Sequence, residues 1–209
     1  MIKNRLFITG VRLFLKDGAN PIGDILVMLG KGEEVKALRE EYDARKHKGP
    51  FGLEKMAELY GEFSEKDVLL AAEKYCEENM KAKRKELVEK IKEKGCKIGV
   101  VSANPQLVLD FLKERFDLDF VAGTEFYFEK GKLKSKVDRY KKAEILKEKA
   151  FEFGVKKENI VVLGSSVTDL PMAENAGKFI VVGAKDDSVK EKASVLFEEF
   201  NEEDFLKEL

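Results

Sequence analysis

The spacing of apolar residues divides the chain into an apolar opening, a long helical stretch and an alternating second half. Two short apolar runs, Leu6–Ile8 and Val11–Leu15, open the sequence and lead into Lys16-Asp17-Gly18. An Asp-Gly pair after such a run is a strong hairpin signal. Part of residues 11–22 is therefore expected to form a flap rather than a central strand.

The helical stretch runs from Asp24 to about Glu93, where apolar residues recur at helical spacing and glycines separate the segments. No convincing strand pattern interrupts it. We therefore predict a small helical cap domain over residues 24–93, inserted into a core domain of residues 1–23 and 94–209. The predicted helical segments are Asp24–Leu29, Glu33–Tyr42, Leu53–Tyr60 and Glu65–Ile91.

Beyond Gly95, short apolar runs alternate with helical segments, which predicts an α/β fold with a doubly wound parallel sheet. Such sheets bind ligands beyond the carboxyl ends of their strands. The pattern predicts strands at Lys97–Val101, Phe120–Ala122, Ile160–Leu163 and Phe179–Val182, helices at Pro105–Phe116, Lys141–Phe153 and Asp169–Ala176, and a hairpin of Phe126–Phe128 with Lys132–Ser135.

Composition narrows the classes of function. The 39 Lys and Arg residues balance 40 Asp and Glu residues, which argues against nucleic-acid binding. No apolar run is long enough for a membrane span, so we expect a soluble, cytoplasmic protein with no membrane partner. Cys76 and Cys96 lack zinc-site spacing, and His47 lies among basic residues, where exposure is expected. The Lys/Glu-rich composition is similar to that of thermophile surfaces. The mixed charge of the chain indicates no particular protein partner.

The segment Val161–Met172 carries the clearest functional pattern: an apolar strand, Gly164, a short polar loop and then Asp169 at a helix start. This segment and others make the chain resemble the phosphoserine-phosphatase-like branch of the haloacid dehalogenase (HAD) superfamily. The resemblance rests on Val100–Ser102, Arg139–Leu146, Gly164–Met172, Ala184-Lys185 and Ser188–Ala193. It implies the HAD-like core, with a small cap after the first strand.

The resemblance also implies a chemistry. In the family the first strand ends in Asp-x-Asp, whose first aspartate attacks phosphorus and whose second protonates the leaving group. A magnesium ion is held by this motif and by a carboxylate after the later strand. Here Ser165 stands at the position of that carboxylate.

Three registers of the first motif remain open. The preferred one places Phe7 at the nucleophile and Thr9 at the acid. The second places Leu15 and Asp17 there, and the third places Asp17 and Ala19 there. Only the third keeps a nucleophile. Because magnesium needs hard anionic oxygens, we predict no metal and no cofactor in the main interpretation, and magnesium only if Asp17 is the nucleophile.

Several residues match the family's phosphate-binding positions. The resemblance implies that Ser102 and Lys142 contact phosphoryl oxygens, with Lys141 as the alternative lysine, and Asn104 opens a helix beside them. Asp169 is expected to cap its helix or pair with Lys142, with Ser165 and Thr168 in support. Arg39 and Arg45 of the cap are weaker candidates for a substrate carboxylate or phosphate.

A pocket that has lost carboxylates but keeps a lysine attracts anions more strongly. We therefore predict a non-catalytic module that binds a small phosphorylated or anionic ligand, or a protein. The alternative is a weak or unconventional phosphomonoester hydrolase with Asp17 as nucleophile. A third alternative is metal-free dehalogenase chemistry, which Gly164-Ser165-Ser166 resembles superficially.

Overall fold

The structure is a computed structural model that describes residues 4–45, 53–129, 132–136 and 141–209. Its central element is a seven-stranded sheet. Its strand order is β4-β3-β2-β1-β5-β6-β7, and every described neighbouring pair is parallel except β3 and β4. This arrangement confirms the predicted α/β fold. The strands are β1 (Arg5–Thr9), β2 (Cys96–Pro105), β3 (Phe120–Glu129), β4 (Lys132–Lys136), β5 (Ile160–Gly164), β6 (Lys178–Val182) and β7 (Val195–Phe197).

Helices cover both faces of the sheet, and alternate residues of β1 enter two separate cores. Phe7 belongs to one core, while Leu6 and Ile8 belong to the other. All three side chains are completely buried, which explains the continuous apolar run of a central parallel strand. The helices are α1 (Pro21–Met28), α2 (Gly32–Ala44), α3 (Leu53–Tyr60), α4 (Glu65–Asn79), α5 (Arg84–Glu93), α6 (Gln106–Phe116), α7 (Lys142–Glu152), α8 (Leu170–Ala173), α9 (Asp187–Lys190) and α10 (Glu202–Glu208).

The segment after β1 differs from the predicted flap. Val11–Leu13 forms a short 3-10 helix whose Val11 and Leu13 side chains are buried. A turn at Gly18, with φ of 82°, then leads into α1. The apolar residues of this run therefore fill the core instead of one face of a hairpin. The predicted later hairpin is confirmed, because β3 and β4 pair antiparallel from Glu125↔Lys136 to Glu129↔Lys132.

The predicted helical segment Glu65–Ile91 is wrong as one element, because it consists of two helices. Between them Met80 is extended and forms an antiparallel bridge with Leu15. The Lys81 backbone N–H donates to the Phe14 carbonyl at 2.8 Å. This pairing returns the chain to the region after β1 before α5 leads into β2. The division into cap and core domains stays a prediction.

Candidate functional site

Polar side chains gather where β1, β2 and β5 end. Thr9, the last residue of β1, aligns with Val100 of β2 and with Leu163 of β5. Two residues beyond these partners lie Ser102, in the last part of β2, and Ser165, the residue that follows β5. Because neighbouring strands lie about 4.8 Å apart, the two serines flank the end of β1 at a separation on the order of 10 Å. Parallel sheets bind ligands on the side where the carboxyl ends of their strands lie, and this side is called the edge below.

The Ser102 hydroxyl can donate its proton to a ligand, because its oxygen already accepts two hydrogen bonds. It accepts hydrogen bonds from the backbone N–H of Asn104 at 3.2 Å and from Asn104 Nδ2 at 2.9 Å. Asn104 Oδ1 in turn accepts from the Ile22 backbone N–H at 3.4 Å. A hydroxyl has two acceptor positions and one proton, and no described residue accepts the Ser102 proton. A ligand at Ser102 must therefore offer an acceptor.

Lys142 and Asp169 form a buried ion pair beside this edge. Lys142 Nζ lies 2.8 Å from Asp169 Oδ1, and the two residues are 8% and 9% exposed. Lys142 Nζ also donates to Thr168 Oγ1 at 3.1 Å. An ammonium group has three protons, so one is left for a further acceptor. The predicted partnership of Asp169 with Lys142 is present, and Thr168 supports it.

The second oxygen of Asp169 organises the loop after β5. Asp169 Oδ2 accepts from the backbone N–H groups of Ser165 and Ser166, both at 3.1 Å, and from Ser166 Oγ at 3.2 Å. This loop enters the short 3-10 helix Val167–Asp169 through a capping box. Asp169 therefore fixes both the lysine and the backbone of the polar loop.

These contacts predict a stability change at acid pH. Burial raises the pKa of Asp169, but the charge and hydrogen bond of Lys142 and the loop amides outweigh it, so the pKa falls below 3.8. A lowered folded-state pKa gives stability that is present above the unfolded pKa and is lost as pH falls through the folded value. Urea unfolding from pH 7 to pH 3 should show the advantage of wild type over Asp169→Asn shrinking only below about pH 4.

Arg12 joins the edge from the segment after β1, and sequence reasoning missed it. Its Nη1 donates to Ser165 Oγ at 3.1 Å. In the sequence, Arg12 is marked only by being a charged residue between Val11 and Leu13, shortly after an apolar strand. Thr9, at the strand end, is 2% exposed, and its hydroxyl is 3.4 Å from the Gly10 carbonyl.

The positions proposed for the first motif do not bring a carboxylate to this edge. Phe7 is completely buried, with its ring 5.3 Å from that of Phe205. Leu15 is also completely buried. The Asp17 side chain is 97% exposed and pairs with Lys81 at 2.8 Å, and this lysine lowers the pKa of Asp17. The Asp17 carboxylate bonds Lys81 rather than Ser102, and which register applies stays a prediction.

Arg39 of α2 and Arg45, the residue that follows α2, form hydrogen bonds within the helical region. Arg39 Nη2 donates to Asp24 Oδ1 at 2.9 Å, and Asp24 Oδ2 accepts from the Tyr75 hydroxyl at 3.2 Å. Arg45 Nε donates to the Glu41 carbonyl at 3.3 Å. These described bonds of the two arginines involve Asp24 and Glu41, and neither bond is to Ser102, Lys142 or Asp169. His47 and residues 139–140 of the segment Arg139–Leu146 lie outside the described residues.

The doubly wound sheet defines an α/β protein whose polar side chains meet at the carboxyl ends of its central strands. The family model of haloacid dehalogenase-like hydrolases matches residues 14–177. The chain belongs to this family and resembles its phosphoserine phosphatase branch, as the sequence predicted. The matched range begins beyond β1.

Similar proteins agree with this assignment. A phosphoserine phosphatase of Archaeoglobus fulgidus is 38% identical over 107 residues, covering 49% of this chain and 31% of that protein. One of Methanocaldococcus jannaschii is 29% identical over 127 residues, covering 58% and 60%. A solved substrate-bound phosphoserine phosphatase complex superposes with a TM-score of 0.81 at 25% identity, over 99% of both chains. The matched curated relatives are therefore covered only in part.

Membership of this family corrects the prediction that no cofactor is involved. That prediction is wrong, because the phosphoserine phosphatase relatives depend on magnesium. The described part of the edge nevertheless does not fit the ion. Its carboxylate, Asp169, already has both oxygens engaged by Lys142 and the loop amides. No group of three His, Cys, Asp or Glu residues in the described ranges is placed to hold a metal.

The length and apolar content of the helices bear on whether any of them could span a membrane. None of those described is both long enough and apolar enough to cross a bilayer.

Proposed function

We propose that this chain binds the phosphoryl group of a small phosphomonoester at the carboxyl ends of β1, β2 and β5. The observation that carries the proposal is the set of unused donors at this edge. Ser102 has both acceptor positions filled and its proton free of any described acceptor, and Lys142 keeps one proton beyond Asp169 and Thr168. An oxyanion satisfies both groups at once, since phosphoryl oxygens only accept.

Phosphoserine is the ligand with which to begin, because the named relatives are phosphoserine phosphatases. The substrate in the name of these relatives is therefore the first probe to test with this chain. A hydrogen bond to a charged partner contributes about 1.5–3 kcal/mol. Loss of the Ser102 hydroxyl is therefore expected to weaken binding by about tenfold or more.

Hydrolysis of the bound ester is the second candidate function, and the family assignment favours it. The geometry favours binding, since no described residue of β1 is a carboxylate and Asp17 is exposed and paired with Lys81. If Asp17 were the nucleophile, its replacement by asparagine would abolish turnover. The edge geometry predicts that Asp17→Asn leaves phosphoserine binding unchanged.

Calorimetry and a turnover assay test both functions together, with magnesium present and again with a chelator. We expect phosphoserine to bind wild type and Asp17→Asn equally, and Ser102→Ala about tenfold more weakly. Ser188→Ala is the matched control, because that hydroxyl bonds Asp186 on an exposed turn. Absence of binding to wild type would refute the proposal. Magnesium-dependent turnover lost in Asp17→Asn would establish the second candidate.

A further inference from the structure

Arg12 occupies a position that neither the sequence motifs nor the family assignment explains. It lies in the short 3-10 helix Val11–Leu13, between two side chains that are each 5% exposed. With its neighbours directed into the core, Arg12 is exposed on the outer side of the turn. There its Nη1 donates to Ser165 Oγ, in the polar loop after β5.

Arg12 forms no direct ion pair with a described carboxylate, although its charge is close enough to Asp17 to help lower the pKa of that carboxyl, after Lys81 and Arg84. By contrast, Lys142 is paired with Asp169 and Lys81 with Asp17. The one described hydrogen bond of Arg12 is to a neutral hydroxyl. A guanidinium has five N–H donors in a planar fork, so four are left for another acceptor.

A continuous chain of contacts connects this guanidinium to Lys142. Arg12 bonds Ser165, the Ser165 N–H bonds Asp169, and Asp169 bonds Lys142. Two positive groups and one carboxylate leave this part of the edge with a net positive charge of one.

We propose that Arg12 is a phosphate-binding residue of this chain, whose guanidinium, held by Ser165, takes two oxygens of the phosphoryl group that Ser102 and Lys142 contact. This inference rests on the proposed function. It narrows the ligand to a doubly charged phosphoryl group, because a planar fork matches phosphate oxygens in a bidentate manner and a lysine does not. A neutral or singly charged ester uses the site less well.

The test is titration of wild type, Arg12→Gln and Arg12→Lys with phosphoserine and with inorganic phosphate, by calorimetry with magnesium present throughout. We expect Arg12→Gln to lose about tenfold in affinity for both probes, with Arg12→Lys between it and wild type. Arg115→Gln, an exposed arginine of α6, is the matched control and should bind like wild type. Melting temperatures without ligand separate binding from folding.

The outcomes distinguish the two proposals. If wild type binds neither probe, the proposed function fails. If wild type binds and Ser102→Ala weakens binding while Arg12→Gln does not, only the role of Arg12 is overturned. Equal weakening by Arg12→Gln and Arg115→Gln would also overturn it, because the effect would then be one of overall charge. Dimethyl phosphate, which stays singly charged at neutral pH, should be less sensitive to Arg12→Gln than phosphate is, and equal sensitivity would contradict the preference for a doubly charged phosphoryl group.

Discussion

Asp169→Asn is expected to lower the free energy of unfolding by about 3–5 kcal/mol, because it leaves a buried ammonium without its counter-charge. Lys142 is 8% exposed, and Asp169 supplies the one carboxylate within ion-pair distance of it among the described residues. The substitution also weakens the acceptor of the Ser165 and Ser166 amides. Urea denaturation at pH 7 measures the change.

The matched control for this variant is Asp187→Asn on α9. Asp187 pairs with Lys190 at 3.0 Å, but its side chain is 85% exposed. Exposed pairs contribute about 0–1 kcal/mol, so this variant should be close to wild type. Equal losses from the two substitutions would show that the Lys142–Asp169 pair is not buried in the way described.

Lys142→Gln should weaken phosphoserine binding by about 100-fold, the largest effect on affinity that we expect. The ammonium group is buried, and Asp169 and Thr168 accept two of its three protons, which leaves one for the ligand. Desolvation strengthens a charged hydrogen bond. Calorimetric titration measures the loss, with Lys207→Gln as control because that side chain is 71% exposed on α10.

A double variant separates binding from stability. Lys142→Gln with Asp169→Asn removes both buried charges, so its stability should recover towards wild type relative to Asp169→Asn alone. Its affinity for phosphoserine should stay as low as that of Lys142→Gln. Recovery of affinity in the double variant would mean that Lys142 acts on folding and does not contact the ligand.

Part of this site could be predicted from the residues alone. Central parallel strands are buried on both faces and appear as continuous apolar runs, so β2, β5 and β6 were recognisable. The residues after such strands share one edge of the sheet. Ser102 and Ser165 were therefore identifiable as neighbours of one site, and the pairing of Lys142 with Asp169 followed from the resemblance.

Other features depend on contacts that no local pattern contains. The break after α4 falls at Met80–Lys83, a stretch without glycine or proline, because Met80 pairs with the distant Leu15. Arg12 interrupts an apolar run and looked like one position of a flap. The direction of the Arg12 side chain is set by the 3-10 helix after Gly10, in which Val11 and Leu13 are buried. The burial of these two residues depends on the assembled core and is not visible in the local sequence.

The most direct test of phosphoryl binding at this edge is a nuclear magnetic resonance titration of ¹⁵N-labelled protein with phosphoserine. The account predicts that the largest amide shifts fall on residues 10–12, 102–104 and 164–166, and that Ser102→Ala reduces them. Shifts concentrated instead in the groove between α2 and α3, which Leu38 and Leu59 line, would contradict it. A titration that moves no amide at all would do the same.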